Sequence, residues 1–229
     1  DCYIYTDGAK TIVECGDADY FYNFFDLGRD YSKIIERAES FGVPALTSAC
    51  KKAAGLRLLN QNSEEMIYSF IISQNNNIPR IKLIISRICE GLGQRTSSPF
   101  GDFYAFPSSS ALAAKEPEYY RSLGAGYRDV FISEAARRIA AEGIERLNDL
   151  PGDELRRQLL TYKGVGPKVA DCICLFGFGR RDAFPVDTWI EKLYREDFGG
   201  TLTDRNKINA YFTSLFGQFS GYMQQYLFY

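Results

Sequence analysis

The sequence predicts a mainly α protein with a small N-terminal antiparallel β piece (an α+β chain), its helices arranged as two lobes with a cleft between them. Residues 2–15 alternate apolar and polar positions around Asp7-Gly8, the pattern of a hairpin. From Tyr20 onward the apolar positions recur at helical spacing. Glycines and prolines punctuate that spacing at short intervals, with no long linker, low-complexity tract or repeat.

The hairpin comes first, and a lone two-stranded hairpin is marginal in water. It therefore packs on the body or belongs to a larger sheet. Helices are expected over 44–54, 62–74, 79–91, 109–115, 126–141, 152–162, 167–177, 188–197 and 204–216. Breaks fall at Gly55, Gly91/Gly93, Pro99-Phe100-Gly101, Pro107, Gly124/Gly126, Gly143, Pro151-Gly152, Gly164/Gly166 and Gly199-Gly200. The two lobes are expected to divide near Arg95–Pro107. In the helix opened by Asn77-Ile78-Pro79-Arg80, Asn caps and Pro suits the first turn. Ile81, Ile84, Ile85 and Ile88 then form one buried stripe. Arg80 and Arg87 lie off it, and Arg87 reads as part of a solvated face.

The 229 residues are 45% hydrophobic and 24% charged, which excludes a disordered chain and suffices for a core without disulfide staples. No apolar run approaches the roughly 18 residues of a membrane helix, and no signal peptide is visible, so no membrane partner is expected. The chain begins with Asp rather than Met, so a segment is expected upstream. Twenty-seven basic residues against 29 acidic ones argue against a nonspecific nucleic-acid coat. They allow an enzyme that gathers a few cations and backbone N–H groups on one face.

The sequence contains no histidine. Ser-His-Asp and Cys-His hydrolysis are therefore excluded, as are imidazole acid–base chemistry and His-containing zinc sites. Proton transfers fall to carboxylates, Lys, Tyr or Cys. Cys2, Cys15, Cys50, Cys89, Cys172 and Cys174 form no CxxC pair, so neither a zinc ribbon nor an iron–sulfur cluster is expected. They read as reduced, intracellular thiols.

The chemistry concentrates in residues 152–190, which read as helix, tight Gly-Val-Gly turn, helix, loop, helix. Leu155, Leu159 and Leu160 give the first helix its apolar face. Gly164 and Gly166 permit a sharp turn, and Pro167 suits the first helical position after it. Uncovered N–H groups at such a turn can seat a phosphate of a nucleic-acid backbone. From the glycines alone, an ordinary helical corner is the simpler reading. Lys168 changes this, because a cation in the first turn opposes the helix dipole. That position suits a lysine kept for its amine as a nucleophile. Asp187, after Phe184-Pro185-Val186, can be simply the N-cap of the next helix. It can also hold a carboxylate near Lys168. An amine and a carboxylate, with no histidine, suit Schiff-base chemistry at a sugar carbon.

KGVGPKVADCICLFGFGRRDAFPVDTW resembles the helix-hairpin-helix–Gly/Pro-Asp superfamily of DNA glycosylases. SQNNNIPRI and GAGYRDVFI resemble its 8-oxoguanine DNA glycosylase branch, and the likeness runs from about Asp19 to Tyr229. It implies a helical body over 18–229, with the helix-hairpin-helix at about 152–178 and the Gly/Pro-Asp loop at 179–187. Residues 1–17 would be the remnant of an N-terminal antiparallel β domain. The implied function is base-excision DNA repair by a glycosylase with AP lyase activity. It would be a monomer without cofactor or metal, acting in the cytoplasm on nucleoid DNA that carries oxidised guanine opposite cytosine.

The resemblance also implies roles. Lys168 attacks C1′ of the damaged nucleotide, and Asp187 stabilises the cation that develops on the sugar. Gly164, Val165 and Gly166 form the phosphate-binding hairpin. Cys172 and Phe228 sandwich the flipped base, and Gln224 contacts its Watson–Crick edge. Asn75 fills the gap left in the stack, Arg80 and Arg128 meet the orphaned cytosine, and Tyr127 wedges against the duplex. Read without the family, Cys172 is a small core residue and Tyr127 a core aromatic.

Some family features are absent. There is no Gly-Gln-x-Phe-Arg-Trp-like segment, so the chain is expected to start partway through the β domain and to lack the carbonyl that tells 8-oxoguanine from guanine. The end at Phe228-Tyr229 suggests a clipped last helix. Trp189 stands where the eukaryotic form has His, which resembles the bacterial version. Two rivals remain. An endonuclease III-like enzyme would carry a four-cysteine cluster, but residues 175–229 contain no Cys. A non-catalytic helix-hairpin-helix module would not need Lys168 and Asp187 together.

Overall fold

The computed structural model describes residues 2–99 and 101–229. Strand β1 (Cys2–Asp7) pairs antiparallel with β2 (Lys10–Cys15), setting Cys2 opposite Cys15 and Asp7 opposite Lys10. The two turn residues are Gly8 and Ala9, one position beyond the Asp7-Gly8 centre read from the sequence, and none of the hairpin's described residues is buried.

Three helices follow: α1 (Ala18–Phe24), α2 (Tyr31–Ser40) and α3 (Pro44–Lys52). Next come α4 (Ser63–Ser73) and α5 (Ile78–Leu92). Asn77 caps α5, its side chain accepting from Arg80 N–H at 3.0 Å. Ile84 and Ile88 face the core at 1% exposure, while Arg87 donates to the Leu123 carbonyl at 3.1 Å. A second hairpin, β3 (Arg95–Ser98) with β4 (Gly101–Tyr104), occupies the expected break at Pro99-Phe100-Gly101, of which Phe100 lies outside the described residues. The chain then forms α6 (Ser109–Ala113), α7 (Pro117–Ser122), a 3-10 turn at Gly126–Arg128, α8 (Asp129–Glu142) and α9 (Glu145–Asn148). Helices α10 (Gly152–Leu160) and α11 (Pro167–Cys172) come next, and α11 runs into a π-helical turn, Ile173–Gly177. The last elements are α12 (Thr188–Glu196), α13 (Arg205–Phe216) and α14 (Ser220–Phe228).

There are two hydrophobic cores, and they are not divided at Arg95–Pro107. One core draws on residues from Ile67 to Cys174. The other joins Tyr31–Leu58 of α2, α3 and the segment after them to Leu175–Leu227. The sequence could not reveal this, because local periodicity does not say which distant helices share a core. The π turn carries the chain from one core to the other: Ile173 and Cys174 belong to the first, Leu175 to the second. Such turns insert one residue into a helix and recur near functional sites.

The loop that leads to α12 is anchored by Phe184. Its ring is fully buried and stacks on Phe212 with centroids 4.4 Å apart. Burial of such a side chain contributes about 1.5–3 kcal/mol. Gly221 brings α14 against the same loop, since a Cβ there would lie 2.3 Å from Leu175 Cδ1 and 3.0 Å from the Arg181 carbonyl. Its N–H donates to that carbonyl at 2.7 Å.

Candidate active site

The α10–α11 corner is a helix-hairpin-helix. Gly164 takes φ +81°, and a Cβ there would come within 2.3 Å of the Phe131 ring, so both backbone angle and space require glycine. Val165 points inward at 6% exposure, and its N–H donates to the Tyr162 carbonyl at 3.0 Å. Of the three hairpin residues, Val165 therefore has no N–H to offer an anion. Gly166 is exposed and opens α11, with open space around its Cα and Pro167 in the first turn.

Lys168 follows in that first turn. Its Nζ lies 5.7 Å from the centroid of Phe70, a residue of α4. Asp187 is the N-cap of α12, its carboxylate accepting from Ile190 N–H at 2.9 Å. Lys168 and Asp187 line one cavity of about 260 Å³ without forming an ion pair. Phe70, Cys172 and Phe176 complete one wall, and Pro185, Gln224, Gln225 and Phe228 the other. Phe70 packs on the first core and Phe176 on the second, so the cavity draws on both. The two rings stack at 5.6 Å and make this wall largely apolar.

Cys172 is 4% exposed, as a core residue would be, yet it lines the cavity. Burial pushes its thiol up to about 12, against the pull of the neighbouring Lys168 amine. The thiol is therefore neutral at physiological pH, which leaves it a contact surface rather than a rival nucleophile. Gln224, 4% exposed, donates from Nε2 to the Pro185 carbonyl at 3.4 Å and accepts at Oε1 from Gln225 at 2.6 Å. Its carboxamide is thereby oriented before any ligand arrives. Phe228 stands half-exposed at the rim, at the end of α14.

A second group converges beside the turn after α4. Asn75 holds φ +44°, an uncommon backbone angle for a residue with a side chain. Arg128, 3% exposed, secures that turn: its guanidinium donates to the carbonyls of Gln74 (2.8 Å from Nε), Asn75 (2.9 Å) and Ala125 (3.1 Å). Arg128 thus ties the Gln74–Asn75 turn to Ala125. A buried guanidinium needs acceptors, and this turn supplies them. Arg80 stays exposed and donates to the Gly124 carbonyl at 3.0 Å. Tyr127 is 54% exposed, so the core-aromatic alternative fails. The Arg128 guanidinium carbon lies 4.5 Å from the Tyr127 ring centroid, and Phe131 meets that ring edge-on at 5.9 Å.

Sequence reasoning missed Phe70 and Phe176, which sit in apolar helical runs with no feature to single them out. It also missed Arg156, Asp171 and Asn209, which hydrogen-bond one another and line a separate cavity.

No family model matches the chain. Among curated proteins, a probable N-glycosylase/DNA lyase of Methanothermobacter thermautotrophicus is 33% identical over 225 residues, covering 89% of this chain and 70% of that protein. The N-glycosylase/DNA lyase of Saccharomyces cerevisiae is 34% identical over 158 residues, and the match spans only 42% of its length. Among solved structures, the apo 8-oxoguanine glycosylase/lyase of Clostridium acetobutylicum superposes with a TM-score of 0.93 at 33% identity. That likeness covers 99% of this chain and 81% of the other.

Proposed function

The chain belongs to the helix-hairpin-helix family of 8-oxoguanine DNA glycosylase/lyases, and from that premise we propose that it excises 8-oxoguanine from duplex DNA and then cleaves the strand as an AP lyase. The observation that carries this reading is the shared cavity of Lys168 and Asp187, walled by apolar and aromatic groups, with the Gln224 amide facing it from the other lobe. One of the Clostridium structures is a complex with duplex DNA containing cytosine opposite 8-oxoguanine, which supports the same substrate here.

In this reading the damaged nucleotide leaves the stack and enters the cavity. Extrusion costs a few kcal/mol. Stacking on Phe228 returns about 1–3 kcal/mol, with Cys172 against the other face of the base and Gln224 on its Watson–Crick edge. The Lys168 amine forms a bond to C1′ as the bond to the base nitrogen breaks, the electron pair leaving with the base. Asp187 stabilises the positive charge that develops on the sugar. Loss of a proton from nitrogen and opening of the sugar give the Schiff base, from which β-elimination expels the 3′ phosphate. Gly164 and Gly166 bring the hairpin backbone close to a DNA phosphate, and the neutral Val165 side chain packs beneath it. Asn75 fills the gap in the duplex, Tyr127 wedges beside it, and Arg128 holds the Asn75 turn in place.

The enzyme acts as a monomer in a bacterial cytoplasm, on chromosomal DNA, a source that Trp189 supports. No helix of the described residues is long and apolar enough to cross a membrane. The deciding experiment is borohydride trapping on duplexes with 8-oxoguanine or guanine opposite cytosine. A covalent adduct with the damaged duplex is expected. No adduct on either would return the chain to the non-catalytic module considered above.

Arg80 gives a second expectation. Its exposed guanidinium can donate to O2 and N3 of cytosine but is mismatched to donor groups on other bases. Arg80→Ala should lower the preference for cytosine by the equivalent of about 1–3 kcal/mol, more than it slows excision in bound DNA. The measurement is excision opposite each of the four bases at two salt concentrations. A retained cytosine preference with a flatter salt dependence would make Arg80 a phosphate contact instead.

A further inference from the structure

The lysine helix and the carboxylate loop belong to different lobes, yet in the proposed reaction both act on one sugar. Asp171, nearly one turn after Lys168 on α11, is 3% exposed. Its Oδ1 accepts from Arg156 Nε of α10 at 2.6 Å. Its Oδ2 accepts from Asn209 Nδ2 of α13 at 3.1 Å. The same amide nitrogen donates at 2.7 Å to the carbonyl of Phe184, three residues before Asp187. Among the described residues, no other side chain hydrogen-bonds both α11 and this loop.

We infer that Asn209 is a positioning residue, setting the separation of Lys168 and Asp187 by joining Asp171 to the Phe184 carbonyl. This rests on the roles proposed above for those two residues. Both targets are rigid. Asp171 is pinned by Arg156, and Phe184 by its stack on Phe212. A carboxamide NH₂ has two donors, one for each target. A buried carboxylate needs its acceptor sites filled, and burial indeed pushes Asp171 up while Arg156 pulls it down. An aliphatic side chain at 209 leaves the Phe184 carbonyl without this donor and Asp171 Oδ2 with only the longer 3.4 Å bond from Arg156 Nη2, so the two elements are free to shift. Misplacement of reacting groups by about 1 Å can cost on the order of 100-fold in rate.

The test uses Asn209→Leu and, as a milder variant, Asn209→Ala. Each is assayed under single turnover for excision of 8-oxoguanine and for borohydride trapping on a preformed abasic site. Excision needs Lys168 and Asp187 held together on one sugar. At the abasic site the aldehyde is already open to the Lys168 amine. The excision rate constant should fall about 10- to 100-fold, and trapping at the abasic site clearly less. Reaction amplitude measures the folded fraction separately from the rate constant. An unchanged excision rate constant in both variants overturns the inference. So does an equal fall in both reactions, or a loss of amplitude alone, since each marks a merely structural role. Absence of any adduct with the wild-type enzyme would instead overturn the glycosylase reading.

Discussion

Lys168→Gln should abolish the borohydride-trapped adduct with 8-oxoguanine DNA while binding of the same duplex changes little. The expectation follows from how Lys168 is held. It sits in the first turn of α11, its Nζ faces the Phe70 ring at 5.7 Å, and among the described residues it enters no ion pair with a carboxylate. Its removal therefore orphans no buried charge. Gln keeps the first two methylenes of the stem and a polar end but offers no amine to form an imine. The residues proposed to contact phosphate and the opposite strand are others, so DNA affinity should persist. A gel that resolves the adduct, with binding measured in parallel, decides the matter. An adduct as strong as wild type would place the nucleophile on another residue.

Asp187→Asn should lower the excision rate by about 10²–10³-fold. The mutation removes a negative charge from the cavity and little else. Asp187 Oδ1 accepts from Ile190 N–H, and an Asn oxygen can accept in its place. Asn and Asp rank alike as caps, so the stability change should stay under about 1 kcal/mol. Thermal melts and single-turnover excision on one preparation separate the two effects. A melting temperature that falls as steeply as activity would make the residue a cap and nothing more.

The parts of this site that were legible in the sequence are those whose chemistry is local. Asn77 ahead of Pro79, the stripe of Ile84 and Ile88, and glycines flanking Val165 each state their geometry within a few residues. Helices α1, α2, α7, α9 and α14 escaped the expected helix ranges. Helix α7 and α9 are too short to show a period, and α1 has no buried residue to create one. Helix α14 is buried from Ser220 through Gln224 on every face, which erases the polar side of the pattern. Helix α2 did carry a readable signal, with Tyr31, Ile34 and Ala38 on one face. Asp171 and Asn209 are 38 residues apart and meet only because α13 packs beside α11. Arg128 could be recognised by its neighbours Gly126 and Tyr127. That its guanidinium secures the Gln74–Asn75 turn was not legible, because those carbonyls lie 54 and 53 residues away in the chain.

The two cores also differ in the distance along the chain that each must close. The core that contains Lys168's helix is drawn from one unbroken stretch, Ile67 to Cys174, and its contacts are comparatively local. The core behind Asp187 joins Tyr31–Leu58 to Leu175–Leu227 and has to close a loop around the whole of the other. Loop-closure entropy and contact order both make the second assembly the slower one. During synthesis, the lysine-bearing half can collapse while α12 to α14 are still inside the ribosome. The aspartate then arrives on a lobe that closes last, so catalytic competence appears only with the final folding step. In pulse-labelled refolding, amides of α4 to α11 should gain protection before those of α12 to α14.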